Sequence, residues 1–487
     1  MLFFLAFGVL AIWLFHERHY LPISVSAAVI VLVAWYIVLL YRRSLVGPLT
    51  ALLFLAYALP FVHIVPYIWF NFDTDSPTML WGLLVNPYMT SKSIIELMSM
   101  IGAVGAAGFA VGIFLARQSL AGNIRVGAIT ERPSHIRTLS IPTFCSWILL
   151  AISLTWLAAP SDTVFAAKYT ESTSFAEGLN FSSAWMFSYA FLVFALADTI
   201  FEPSALNRRL KQTLVLFAIL LIVIWFQLLR GDRESLPFVL AALLMYYVWA
   251  NKLSLRSTGP STPRSPLMYL SVFVVFLAAY VVGALRHDLT EVSSLADLIE
   301  LIHDLKMLGV LSIDTLITGT WSAALLTPLS VAGDYLHGSL PLKFGQTYMD
   351  LAVSIVPGFV ADWVGYARPI DSFKGPAWEM TYGLGGTHAV VVPFTDFRML
   401  GVYVVLGLFS FAITRIERYA ITRPSVANLS LLGVIAMAIP HWLWYGEKNI
   451  INALVIWAVL AVAYRIRLTK RWTSHTAGSA QSRLHST

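Results

Sequence analysis

Long apolar runs follow one another from end to end of this chain, and they constrain its fold more than any other feature. About twenty consecutive apolar residues span a bilayer as a helix, and in lipid a helix is one of the few structures that satisfies its own backbone. By hydropathy and length about twelve candidate spans fall near 2–15, 22–41, 45–69, 94–116, 139–159, 183–201, 213–229, 236–250, 267–285, 399–414, 426–445 and 450–464. The fold expected is therefore an all-α integral membrane protein. Of 487 residues, 58% are hydrophobic and only 12% charged, about half the charge of a soluble chain. The net charge of +6 does not point to nucleic acid, because the basic residues sit between apolar runs, where they orient helices. The first run, from Leu2 to Phe15, has no basic segment before it and no small-residue cleavage site after it, so it reads as a retained first helix. Cys145 is the single cysteine, which excludes a disulfide within the chain.

The basic clusters set an orientation. They comprise Arg42 and Arg43; Arg117, Arg125, Arg132 and Arg137; Arg208, Arg209 and Lys211; Lys252, Arg256 and Arg264; Arg415, Arg418 and Arg423; and the tail from Arg465 to Arg471. These occupy alternate connections, as the positive-inside rule requires, so both termini are expected in the cytoplasm. Four segments follow: spans within 1–285, a large outward loop at 286–398, spans within 399–472, and a disordered tail at 473–487. No Walker-type or GxGxxG loop occurs on the cytoplasmic side. Gly102, Gly105, Gly108 and Gly112 recur at the spacing of close helix packing.

The loop 286–398 is too long for a turn and too apolar for a disordered linker. Apolar residues at 295, 298, 299, 302, 305 and 308 predict an amphipathic helix over 295–309. A second helix is expected over 346–356, stopped by Pro357-Gly358. Tyr335, Tyr348, Trp363, Tyr366 and Trp378 suit a headgroup-level position or sugar stacking.

Two outward span ends carry arginine against the rule. Gln227 to Ser235 is a tight turn with Arg230 and Arg233, and Gly283 to Asp288 places Arg286 at the end of another span. A local salt-bridge cluster with Asp232 and Glu234 is one reading. A cradle for a lipid-linked diphosphate is the other, since the guanidinium fork matches phosphate oxygens. His388 follows the glycine turn at 383–386, where the chain returns to the membrane, as a structural residue or a base. Asp73-Thr74-Asp75 reads as a turn before Ser76-Pro77 rather than as a metal site. His16 with His19, and His303 with Asp304, lack a third ligand.

Across roughly residues 215–410 the chain resembles the O-antigen polymerase (Wzy-type oligosaccharide repeat-unit polymerase) family, and more distantly the O-antigen ligases. The resemblance rests on Arg230-Gly231-Asp232-Arg233, Gly283 to Arg286, Phe344 to Tyr348 leading to Ile355-Val356-Pro357-Gly358, and Gly383 to Thr387 leading through Asp396-Phe397-Arg398 to Gly401. It implies a GT-C-like fold with a large helical periplasmic loop in the bacterial inner membrane. It implies an inverting, metal-independent glycosyltransferase needing no cofactor, which joins undecaprenyl-diphosphate-linked repeat units, with membrane lipids, a chain-length regulator and a flippase as partners.

On this reading Arg230, Arg233 and Arg286 stabilise the leaving diphosphate. His388 activates or orients the acceptor hydroxyl, with Glu379 and Asp396 as alternatives. Arg368, Lys374 and Arg398 hold sugars or a second diphosphate. Three other functions stay open: a ligase passing glycan to lipid A core, a lipid-linked oligosaccharide flippase, which should carry mid-membrane charge and repeat symmetry, and a structural assembly factor.

Overall fold

In a computed structural model, the residues described are 2–43, 45–64, 92–119, 138–158, 184–223, 296, 299–300, 303–304, 326–354, 388–445, 447 and 449–466. Among them the regular structure is helical, with no strand. The helices are α1 (Leu2–His16), α2 (Ile23–Arg42), α3 (Pro48–Ala58, continued by a 3-10 turn Leu59–Ile64), α4 (Lys92–Gln118), α5 (Ile141–Ala158), α6 (Ala184–Phe201) and α7 (Ala205–Val223). After them come α8 (Leu326–Leu336), α9 (Gln346–Ser354), α10 (His388–Thr422), α11 (Val426–Tyr445) and α12 (Asn449–Ile466). Four stretches among the described residues, in α2, α4, α10 and α12, are long and apolar enough to cross a membrane. The chain is an all-α membrane protein. The expected spans at 236–250 and 267–285 lie outside the described residues.

The chain forms two units. The first holds Met1–Ala128, Glu291–Thr422 and Ala438–Ile451. Its axis is α4, which is almost wholly buried and packs on α10, α2, α1 and α8. The glycines of α4 explain the approach. A Cβ on Gly108 would strike the carbonyl of Tyr403, and one on Gly112 the carbonyl of Gly407. Ser410 Oγ donates to the carbonyl of Phe109 across the same seam at 3.1 Å. This is the small-residue packing that the spacing predicts.

One end of this unit gathers basic connections that are far apart in sequence. Buried Glu417 of α10 accepts from the backbone N–H groups of Gly47, Leu49 and Thr50 at 3.1, 2.6 and 3.2 Å, and from Thr50 Oγ1 at 2.7 Å. It caps the start of α3, where no local side chain does so. Arg415 Nη1 donates to Ser119 Oγ at 2.8 Å, just past the end of α4.

The second unit holds Ile129–Thr290, Arg423–Met437 and Asn452–Thr487. In it α5, α6 and α7 pack together, and Trp147 lies against Phe191, Phe194 and Tyr464. Its polar centre is Lys211, whose Nζ pairs with Asp198 Oδ2 at 2.7 Å and Glu202 Oε2 at 2.5 Å, and donates to the Leu139 carbonyl at 2.8 Å. Asp198 Oδ1 accepts from the Leu139 N–H at 2.9 Å and Tyr464 OH at 2.7 Å. The charges are thus shared among four helix ends.

Candidate functional site

Helix α10 is not a plain span. Pro393 removes one backbone donor, and Thr395 Oγ1 turns back to the carbonyls of Val391 and Val392 at 3.0 and 2.9 Å. At Arg398 the backbone leaves the helix altogether, with φ 57° and ψ −148°, then resumes. Such an angle on a residue with a Cβ is strained and persists only where its surroundings hold it. Gly401 makes room, since a Cβ there would run into the carbonyl of Pro393.

The kink frees groups that fasten a second segment. The Thr395 carbonyl accepts from the Lys343 N–H at 3.3 Å. Arg398 Nη2 donates to the Leu340 carbonyl at 2.7 Å, and its guanidinium lies 5.3 Å from the Tyr335 ring centre and 5.7 Å from that of Phe394. Arg398, read from sequence as a sugar or diphosphate ligand, therefore clamps the segment before α9. Gly345, with φ 85°, starts α9 in a space that a Cβ would share with the Phe397 ring.

This geometry delivers Thr347 and Tyr348 to Asp396. Thr347 Oγ1 donates to Asp396 Oδ1 at 2.7 Å. Asp396 is fully buried, and its Oδ2 has no hydrogen-bond partner. The backbone N–H groups of Thr347 and Tyr348 also face the Asp396 carboxylate as donors. Tyr348 stacks on Phe397 at 6.2 Å between ring centres and points its hydroxyl at Glu447 Oε1, a long contact of 3.4 Å. Glu447, in the turn between α11 and α12, is buried too, and its Oε2 is also without a partner. Leu351, Val392 and Ile451 form the apolar wall.

Burial pushes the Glu447 carboxyl up to about 7, and the nearby Asp396 charge adds to this, against the hydrogen bond from Tyr348. Burial and the charges of Glu447 and Asp396 push the Tyr348 phenol above its usual range, so it remains a donor. Two buried carboxyls thus sit close together, each with one oxygen unused, and one titrates near neutrality. Such a pair can take a proton from a hydroxyl and return it.

From the kink at Arg398, beside Asp396, to Glu417 the nineteen-residue step along α10 rises about 28 Å. That matches the roughly 30 Å hydrocarbon core, so the carboxyl pair and the basic end of this unit lie at opposite ends of one membrane-length helix.

Of the residues singled out from sequence, Asp396 and Arg398 meet here. His388 is the first residue of α10, eight residues and about 12 Å of helix before Asp396. Arg230, Arg233, Arg286, Arg368, Lys374 and Glu379 lie outside the described residues, as do Asp73 and Asp75. Glu447 escaped sequence reasoning. Its signal was an acid in the four residues 446–449 between two apolar runs, where charge is expensive unless it is used. Comparison of the chain with protein families, curated proteins and solved structures found no match.

Proposed function

We propose that the protein is a membrane glycosyltransferase that polymerises undecaprenyl-diphosphate-linked oligosaccharide repeat units into O-antigen or exopolysaccharide. It does so at the periplasmic face of the bacterial inner membrane, on a GT-C-like fold of about twelve spans with both termini cytoplasmic. The observation that carries this reading is the buried Asp396–Glu447 pair with its two unused oxygens, a membrane thickness from the basic end of α10. The resemblance of residues 215–410 to the polymerase family supplies the reaction class.

In the reaction, the acceptor hydroxyl loses its proton to Glu447. Its oxygen forms the new bond to the anomeric carbon as the bond to the diphosphate oxygen breaks on the opposite face. The leaving diphosphate carries away the charge, stabilised by Arg230, Arg233 and Arg286. Tyr348 orients Glu447, and Asp396 raises its proton affinity. His388 is the alternative base. Arg368 and Lys374 hold sugars or a second diphosphate, and Glu379 is a further alternative base.

The test uses purified protein in proteoliposomes with a synthetic lipid-diphosphate repeat unit. The expected product is a ladder that a chelator leaves unchanged. Arg233→Ala and Glu447→Gln should each slow it about a hundredfold or more, since one lost transition-state contact is worth on the order of 3 kcal/mol. A folded protein that forms no ladder overturns the reading, and wild-type ladders from both variants overturn the residue roles.

A further inference from the structure

The segment that carries Thr347 and Tyr348 to the carboxyl pair has a second face. Leu342, Phe344 and Met349 point outward, Phe344 with 79% and Met349 with 71% of its surface exposed. This is not a loose loop. Its backbone is fixed at the Lys343 N–H by the Thr395 carbonyl and at the Leu340 carbonyl by Arg398. Phe344 is held at φ 51°, a conformation that aromatic residues avoid without cause. The strain projects an aromatic ring away from the protein.

What covers it is indicated by the neighbouring helix. On α10, Phe397, Leu400, Val404 and Leu408 are all exposed. The spacing of four and four places Leu400, Val404 and Leu408 on one face of the helix past the kink, and Phe397 stands just before it. This stripe belongs to a stretch long and apolar enough to cross a membrane, so it faces lipid. Phe397 heads the stripe, and it also touches the space at Gly345 and stacks on Tyr348. The outward side chains of 342–349 therefore continue the lipid-facing stripe. Lys343 lies among them half-buried, and its charge acts on Asp396.

We propose that Leu342, Phe344 and Met349 form a tab inserted in the acyl layer of the bilayer at the head of α10. The tab sets the depth of the neighbouring site, with Asp396 and Glu447 at the edge of the hydrocarbon, within reach of groups borne on membrane lipid. This inference does not depend on glycosyl transfer, and the test reads no activity.

Phe344→Cys and Met349→Cys, each in a Cys145→Ser background, are spin-labelled and reconstituted into phosphatidylcholine vesicles. Leu408→Cys serves as the lipid-facing reference, and Ser339→Cys, an exposed polar position, as the aqueous one. Collision with oxygen, which concentrates in the acyl layer, is compared with collision with a water-soluble nickel complex. Both tab labels should follow Leu408, with at least a several-fold preference for oxygen over nickel. Preference for nickel at both positions overturns the tab. So does low access to both reagents with spin–spin broadening that disappears on dilution with unlabelled protein, which would place a second copy of the chain there.

Discussion

At Glu447 the structure turns one side chain into a measurable pH dependence. Its carboxyl stands at about 7 in the folded protein against an ordinary 4.5. The folded state therefore keeps a proton that the unfolded chain has lost across this interval. Stability from this group is complete below about pH 4.5, falls as pH rises, and is gone above about pH 7, a loss of about 3 kcal/mol. Catalysis runs the other way, since a base must be ionised and the rate should rise through pH 7. Wild type in detergent should melt at a lower temperature at pH 8 than at pH 5, and Glu447→Gln should flatten that difference. Equal slopes for both proteins would remove Glu447 as the titrating group. Asp396 was legible from sequence as an acid near the returning span. Its partnership with Glu447 was not, because the two meet through Tyr348 and the turn after α11, contacts that no local pattern encodes.

Among the elements, those whose ends are set by composition were the easiest to read. The run at 22–41 becomes α2 and that at 426–445 becomes α11, because apolar length alone defines them. The expected loop end at 398 differs from the helix, which begins at His388 and passes through the kink. Arg398 read as a boundary because a charge usually marks one, whereas here it turns back to the Leu340 carbonyl. Long-range caps were equally hidden: Glu417 reaches α3 across 367 residues. The Lys211 cluster makes the same point with a consequence. One ammonium serves Asp198 and Glu202. Burial pushes the Glu202 carboxyl up, but the hydrogen bonds from Lys211 and Thr138 together bring it below its usual value. Lys211→Met would leave both acids buried without a counter-charge, at about 3–5 kcal/mol. Its melting temperature in detergent should fall well below that of wild type and should recover partly when the pH is lowered enough to protonate the acids. A Lys211→Met protein as stable as wild type would show that the ion cluster does not hold α6 and α7 together.

Across the whole molecule, the arrangement stands on one vector, from the basic end of α10 to the carboxyl pair. Arg415 and Arg418 sit at one end with the connections after α2 and α4, while Thr347, Tyr348, Asp396 and Glu447 sit at the other. On the proposed orientation the first end lies in the cytoplasm, and the length of α10 would then carry the site to the opposite surface. On that orientation, the proposed function would draw on a lipid-borne substrate already delivered outward. The prediction is directional. In the Cys145→Ser background, Ser339→Cys should react with a membrane-impermeant thiol reagent added to spheroplasts, and Thr422→Cys only after the membrane is permeabilised. Ser339 and Thr422 are at or beside helix ends and carry small polar side chains, so labelling tests sidedness more than folding. The reverse pattern would invert the protein, put Asp396 and Glu447 in the cytoplasm, and remove the outward polymerase reading even if the carboxyl pair still titrated near pH 7.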